Sequence, residues 1–186
     1  MSDRPGPELW LVRHGETEWS RSGKHTSTTD VPLTARGEEA ARSLRGRLAE
    51  VEFDLVLSSP RQRARRTAEL AGFPDVVEDA DLAEWAYGDY EGITTEEIRE
   101  RVPGWTVWSH PTPGGETPEE VTARLDRVLD RVRGHDRVLA FGHGHALRAL
   151  VARWIGQPVT DGRRFALDTG TVSVLGQERE TPVVVS

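Results

Sequence analysis

The sequence predicts an α/β domain, with helices layered on a mostly parallel sheet, and three observations carry that reading. Short apolar runs alternate along the chain with longer segments of helical periodicity. Two of those runs, Leu9-Trp10-Leu11-Val12 and Val138-Leu139-Ala140-Phe141, lead into glycine turns that present histidine, Arg13-His14-Gly15 and Gly142-His143-Gly144-His145. At 186 residues, without an internal repeat or a long linker, the chain suits one domain over its full length 1–186. A domain of that size buries about two-thirds of its unfolded surface.

The elements follow in order. Residues 8–12 form the first predicted strand. A helix starts after Thr34 and runs to about Glu50, because Ala40, Ala41, Leu44, Leu48 and Val51 fall on one face at helical spacing. Residues 54–57 predict a second strand, and a helix begins near Pro60 and stops before Gly72-Phe73-Pro74. The stretch 85–118, irregular and punctuated by tryptophan, proline and glycine, reads as a cap over a cleft. Thr117-Pro118-Glu119-Glu120 announces a further helix, with an N-cap hydroxyl, proline at the first helical position and glutamate at the third. Val121, Leu125, Val128, Leu129 and Val132 give it a buried stripe. Residues 136–141 predict the strand before the second histidine motif, and the helix after Gly144 carries Leu147, Leu150, Val151, Trp154 and Ile155. Strands at 171–175 and, at an edge, 182–185 complete the set.

Composition narrows the function. Charged residues make up 30% and apolar ones 36%, with a formal charge of −7. That balance argues against a basic face for nucleic acid, while the local field of a cleft can still hold an anion. The absence of cysteine removes disulfides, thiolate nucleophiles and thiolate metal sites. No segment approaches the roughly 20 apolar residues needed to span a membrane. The opening Met1-Ser2-Asp3-Arg4-Pro5-Gly6-Pro7-Glu8 is polar and lacks a signal-peptide core. The expectation is a cytoplasmic protein with neither a membrane nor a nucleic-acid partner. No apolar edge or coiled-coil pattern declares an interface, which leaves a homodimer open.

Open α/β sheets hold ligands beyond the carboxyl ends of their strands. Two histidines delivered there, with an arginine beside the first, point to phosphate handling. A neutral imidazole can attack phosphorus and form a covalent phosphohistidine. His14 is placed for that attack, with small Gly15 giving room for close approach. Fixed cations stabilise the charge on the phosphoryl oxygens. Arg13 is one, and Ser58-Ser59-Pro60-Arg61-Gln62-Arg63-Ala64-Arg65-Arg66-Thr67 offers more at the start of a helix whose dipole also favours an anion. Of these, Arg63 lies on the first turn, whereas Arg65 and Arg66 project from other faces. His143, at the second strand end, can donate a hydrogen bond to the same phosphate when it is protonated or in the right tautomer. A leaving alkoxide needs a proton, and Glu84, set among the apolar neighbours of Leu82-Ala83-Glu84-Trp85, is the carboxyl group offered. Alone, each residue has an ordinary alternative: a capped structural histidine, a solvated helix face, a surface carboxylate. His143 and His145 as a metal pair would lack a carboxylate cluster. Trp19, Trp85, Trp105 and Trp108 serve either the core or a substrate platform. The combination carries the reading.

Taken together, these segments resemble the histidine phosphatase superfamily, whose fold is phosphoglycerate mutase-like. Leu11-Val12-Arg13-His14-Gly15-Glu16-Thr17 resembles the family signature, and Thr29-Asp30-Val31-Pro32-Leu33-Thr34-Ala35-Arg36-Gly37 the segment after the first loop. Ser58 through Ala68 resembles the second arginine motif, and Glu84-Trp85-Ala86-Tyr87-Gly88-Asp89-Tyr90-Glu91-Gly92 the acid-bearing one. Gly114-Gly115-Glu116-Thr117 and Gly142-His143-Gly144-His145-Ala146-Leu147-Arg148 complete the series in the expected order. The resemblance implies a three-layer αβα sandwich with a mixed sheet. It implies His14 as nucleophile, Glu84 as proton donor, and Arg13, Arg63 and His143 as phosphate clamps. Ser20 and Thr26 fall at loop positions that help hold substrate in relatives, and Gly144 offers a backbone amide. No metal and no organic cofactor are implied. Arg61 and His145 depart from common family residues at positions that bear on substrate choice.

Mutases and phosphatases of this family share one core. A mutase must shield its phosphohistidine from water, by a closing tail and cap. Here only about ten residues follow Leu175, and the stretch 92–114 is short. The expected activity is therefore hydrolysis of small phosphate monoesters without a metal, with 2,3-bisphosphoglycerate-dependent phosphoglycerate mutase as the alternative. The wording of the motifs most resembles bacterial broad-specificity or acid phosphatases and sugar-bisphosphatases.

Overall fold

Successive side chains of a strand face opposite sides of its sheet. In the computed structural model, which describes residues 6–186, that alternation builds two cores. In chain order the elements are β1 (Glu8–Arg13), α1 (Glu18–Ser22), α2 (Ala35–Ala49), β2 (Leu55–Ser58), α3 (Gln62–Leu70), β3 (Val77–Glu78), α4 (Thr95–Arg99), α5 (Pro118–Val132), β4 (Arg137–Gly142), α6 (Gly144–Trp154), β5 (Val172–Glu178) and β6 (Thr181–Val184). The six strands form one sheet in the order β3-β2-β4-β1-β5-β6. β3, β2, β4 and β1 run parallel, and β5 and β6 are antiparallel additions. Leu9 and Leu11 of β1 and Val138 and Ala140 of β4 face the side covered by α5 and α6. Val12, Leu139 and Phe141 face the other side, against Leu44 and Leu48 of α2 and Ala64 and Ala68 of α3. This is the three-layer αβα sandwich with a mixed sheet.

Local chemistry sets the helix boundaries. Thr34 caps α2, its hydroxyl accepting the Gly37 amide at 3.0 Å. Thr117 and Glu120 form the capping box expected for α5, with Pro118 at its first position. The helix expected near Pro60 begins at Gln62, where Asp30 supplies the cap from a distant loop. Its carboxylate accepts the Gln62 amide at 2.9 Å, and its carbonyl accepts Gln62 Nε2 at 2.7 Å. That carboxylate occupies the helix start to which the sequence assigned an anion. α1, α4 and the two-residue β3 were not anticipated. α1 and α4 are each closed by a capping box, on Thr17 with Ser20 and on Thr94 with Glu97.

The segment 85–118 packs inward. Trp85 and Trp105 are 1% exposed and Trp108 9%, all in the core with Leu82, Ile98 and Val121. Gly15 also has a different task from the one expected. A Cβ there would collide with the Gly37 carbonyl, and a Cβ on Gly37 would collide with the Glu16 backbone. The room at Gly15 is taken by the first turn of α2.

Alanine normally favours a helix interior over glycine by about 1 kcal/mol, so two positions in α2 should respond with opposite signs. Gly46→Ala, where a Cβ meets nothing within 4 Å, is expected to raise stability by about 0.5–1 kcal/mol. Gly37→Ala is expected to lower it by about 1–3 kcal/mol through overpacking. Urea unfolding of the two variants checks this, and a stabilised Gly37→Ala would refute the close approach.

Candidate active site

The register of β1 on β4 brings the two histidine motifs together. Arg13 lies opposite Gly142, so the next residue on each strand is a histidine. β2 lies on the other side of β4 with Ser58 opposite Phe141, which sets Ser59 beside the same point. Three parallel strands therefore end in His14, His143 and Ser59. The two imidazoles lie 5.2 Å apart between ring centroids, at 63°.

His14 Nδ1 is 2.7 Å from the Gly15 carbonyl oxygen, which can only accept, so Nδ1 carries the proton and the lone pair resides on Nε2. Burial holds its pKa down to about 3, and the positive charges of Arg63 and Arg13 push in the same direction. The side chain is a neutral imidazole with a fixed tautomer, the form that a nucleophile requires.

Beneath His14 lies a buried polar chain. Arg63 Nε donates to His143 Nδ1 at 3.3 Å, which leaves the proton on Nε2 to donate to Ser59 Oγ at 2.7 Å. The remaining Arg63 nitrogens donate to carbonyls of the loop after α1. Nη1 reaches Thr29 at 2.9 Å, and Nη2 reaches Thr26 and Ser27, both at 3.2 Å. Glu91 grips that loop from its other side through the amides of Ser27 and Thr29 at 2.9 and 3.0 Å and the Ser27 hydroxyl at 2.5 Å. Burial and the neighbouring cations, Arg63 first, push the His143 pKa well below its ordinary value. Arg63 and His143 are each 0% exposed and lie below the lining of the cleft.

Above them opens a cleft of about 190 Å³, lined by Arg13, His14, Ser20, Thr26, Glu84 and Gly144. Six of the eight residues singled out in the sequence thus meet at one surface, with Arg63 and His143 supporting it. Arg13 Nη1 is anchored on the Leu167 carbonyl at 2.5 Å, while its buried Nε finds no hydrogen-bond partner among the described residues. An orphaned buried donor of this kind needs an acceptor. Ser20 Oγ is committed to the α1 cap, and Thr26 Oγ1 donates to the Lys24 carbonyl at 3.0 Å. The apolar setting expected for Glu84 is corrected: its carboxylate rests on backbone amides. Oε1 accepts from Trp85 and Ala146 at 2.9 and 2.8 Å, and Oε2 from His145 at 3.1 Å. It thus caps the positive end of α6. His145 pairs with the Tyr87 hydroxyl at 2.5 Å while His143 bonds to Ser59, so the H-x-H pair diverges and is not a metal pair.

The sequence reading missed other residues at the cleft, namely Lys24, His25, Tyr87 and Arg148. Arg148 spends Nε on the Gly162 carbonyl at 3.1 Å and lies 4.8 Å over the Trp108 ring. Its position within the second histidine motif was the available signal.

The lowered pKa of His14 links stability to pH. The unfolded chain protonates His14 near 6.5 and the folded one only near 3. The contribution is therefore whole above pH 6.5 and is lost as pH falls towards 3. At pH 5 the loss from His14 amounts to about 2 kcal/mol. His14→Gln is expected to show that much less decline in unfolding free energy between pH 7 and 5. An identical decline in variant and wild type would contradict the buried neutral state.

Comparison with known proteins agrees with this geometry. Residues 9–186 match the family model described as histidine phosphatase superfamily (branch 1). The chain is 43% identical over 176 residues to an acid phosphatase of Mycobacterium tuberculosis, covering 91% of this chain and 86% of that protein. It is 36% identical over 184 residues to sedoheptulose 1,7-bisphosphatase of Saccharomyces cerevisiae, covering 81% and 68%. A solved structure of a Mycobacterium tuberculosis open reading frame product superposes with a TM-score of 0.90 at 41% identity, over 97% of this chain and 96% of that one. With the fold, the motif order and the matched length in accord, the chain is an enzyme of the histidine phosphatase superfamily.

Proposed function

We propose that the chain hydrolyses small phosphate monoesters through a phosphohistidine on His14, without a metal. The observation that carries this reading is the state of His14: a neutral imidazole, its Nδ1–H tied to the Gly15 carbonyl, at a cleft that the Arg13 side chain also lines. His14 Nε2 attacks phosphorus as the ester P–O bond breaks. Glu84, whose carboxylate is held by the α6 amides in the free site, takes a proton from the monoanionic form of the bound ester and gives it to the leaving alkoxide, ending as a carboxylate again. Water then attacks the phosphohistidine, Glu84 takes up the proton, and inorganic phosphate leaves with His14 neutral again. The charge on the phosphoryl oxygens is met by side chains, Arg13 first and then Lys24 and Arg148 at the rim. A cleft of about 190 Å³ is small for a ligand pocket, which favours a phosphoryl group on a small organic residue.

Phosphate release with a chelator present, from aryl phosphates, nucleotides, phosphoglycerates and sugar bisphosphates, tests the reading. Wild-type turnover is expected to be unchanged by the chelator. His14→Ala is expected to lose at least about a thousandfold in kcat. Activity lost to chelation and restored by zinc or magnesium would sink the mechanism. Interconversion of phosphoglycerates without net phosphate release would replace it with mutase activity. Glu84→Gln is expected to cost about a hundredfold on alkyl phosphates and less than about tenfold on p-nitrophenyl phosphate, whose leaving group needs little proton transfer. Equal losses on both would move the acid role elsewhere.

A further inference from the structure

The apolar stripe of α5 contains one arginine. Val121, Leu125, Val128 and Val132 are buried, and Arg124, four residues before Val128 on the same face, is buried with them at 7% exposure. A guanidinium in that position is costly unless its donors are met. Arg124 Nε and Nη2 form a two-point pair with the Glu116 carboxylate at 2.7 and 2.9 Å. Its Nη1 donates to the carbonyls of Asp81 and Ala83, both at 2.8 Å. Glu116 holds the chain just beyond. Its Oε2 accepts the Ala86 amide at 2.8 Å, its own amide donates to the Ala86 carbonyl at 2.9 Å, and its carbonyl accepts Trp85 Nε1 at 3.0 Å. The backbone is thus gripped on both sides of Glu84, by Arg124 before it and by Glu116 after it. Neither residue lines the cleft.

Replacing a buried ion pair with apolar groups of similar volume is often neutral or stabilising, so stability alone gives a weak reason for this pair. Orientation gives a stronger one. The Glu84 carboxylate is already held from α6 by the amides of His145 and Ala146. The clamp on its backbone comes from Arg124 of α5, which packs on α6, together with Glu116 just ahead of that helix. Two helices thereby fix a single carboxyl group, one through its side chain and the other through its main chain.

We infer that the Arg124–Glu116 pair is a positioning device for the proton donor, setting residues 81–86 so that the Glu84 carboxyl reaches the leaving-group oxygen. The inference rests on the assignment of proton donation to Glu84. A misplacement of about 1 Å can cost on the order of a hundredfold in rate, and here the cost should fall on the protonation step alone.

The test compares full-length Glu116→Gln and Arg124→Lys with wild type on an alkyl phosphate, glycerol 1-phosphate, and on p-nitrophenyl phosphate. Each variant is also made in the Glu84→Gln background, and circular dichroism checks folding. Glu116→Gln keeps the shape and removes the charge; Arg124→Lys keeps the charge and removes the two-point geometry. Both are expected to lower kcat on glycerol 1-phosphate by about tenfold, leave p-nitrophenyl phosphate within about twofold, and leave KM unchanged. In the Glu84→Gln background neither should add further leaving-group selectivity, because residues acting through one group are not additive. Equal losses on both substrates, a lowered melting temperature with kcat intact, or full additivity with Glu84→Gln would each overturn the inference. If Glu84→Gln itself shows no leaving-group selectivity, the acid assignment fails first. If Glu84→Gln shows it and the two clamp variants do not, only the positioning role fails.

Discussion

The parallel pairing of β1 with β4, in the register that sets Arg13 opposite Gly142, is the constraint on which the rest of the site depends. A shift by one residue would turn every side chain of β1 to the opposite face. Val12 would exchange cores with Leu11, and His14 would leave the side of His143. With both faces of the sheet covered, that register is specified by burial on each side. The strands therefore deliver the two histidines at a fixed separation without help from a ligand. α6 begins at Gly144, immediately after the second histidine, so its positive end is aimed at the same cleft.

What surrounds His14 is arranged for charge. Its own imidazole stays neutral because it is buried and flanked by guanidinium groups. The carboxylates close to the site are spent on backbone amides: Glu84 on α6, Glu91 on the loop at 27–29, Asp30 on α3. In a chain of formal charge −7 the cleft nevertheless presents Arg13, Lys24 and Arg148, so the local field is opposite in sign to the molecule as a whole. The buried chain from Ser59 through His143 and Arg63 to the loop carbonyls converts three separate segments into one rigid floor. Such networks are costly when incomplete and stiff when satisfied.

The fold was legible where local signals agree with tertiary demand. β1 and β4 are uninterrupted apolar runs because helices cover both their faces, and α5 carries proline, capping hydroxyl and stripe together. The short elements were hidden for different reasons. α1 and α4 are five residues each, too short for periodicity, and only their capping boxes mark them. β3 is two exposed residues, Val77 and Glu78, paired at the sheet edge. At the site, residue types and strand ends identified the cleft, but the partners of each residue lie far away in sequence. Gly15 gives way to Gly37 and not to a ligand, Arg63 reaches back to residues 26–29, and Glu84 rests on the amides of residues 145 and 146. No spacing rule reaches across such distances. Arg124, a charge in phase with an apolar stripe, was a readable anomaly whose meaning needed the fold.

The central claim is that His14 becomes covalently phosphorylated during turnover. Rapid quenching of the full chain turning over p-nitrophenyl phosphate, with the product mapped by mass spectrometry at alkaline pH, tests it most directly. The account predicts an acid-labile, alkali-stable phosphoryl adduct on the peptide that contains His14, absent from His14→Ala. Sustained turnover with no adduct on His14, or with an adduct on another residue, would contradict it.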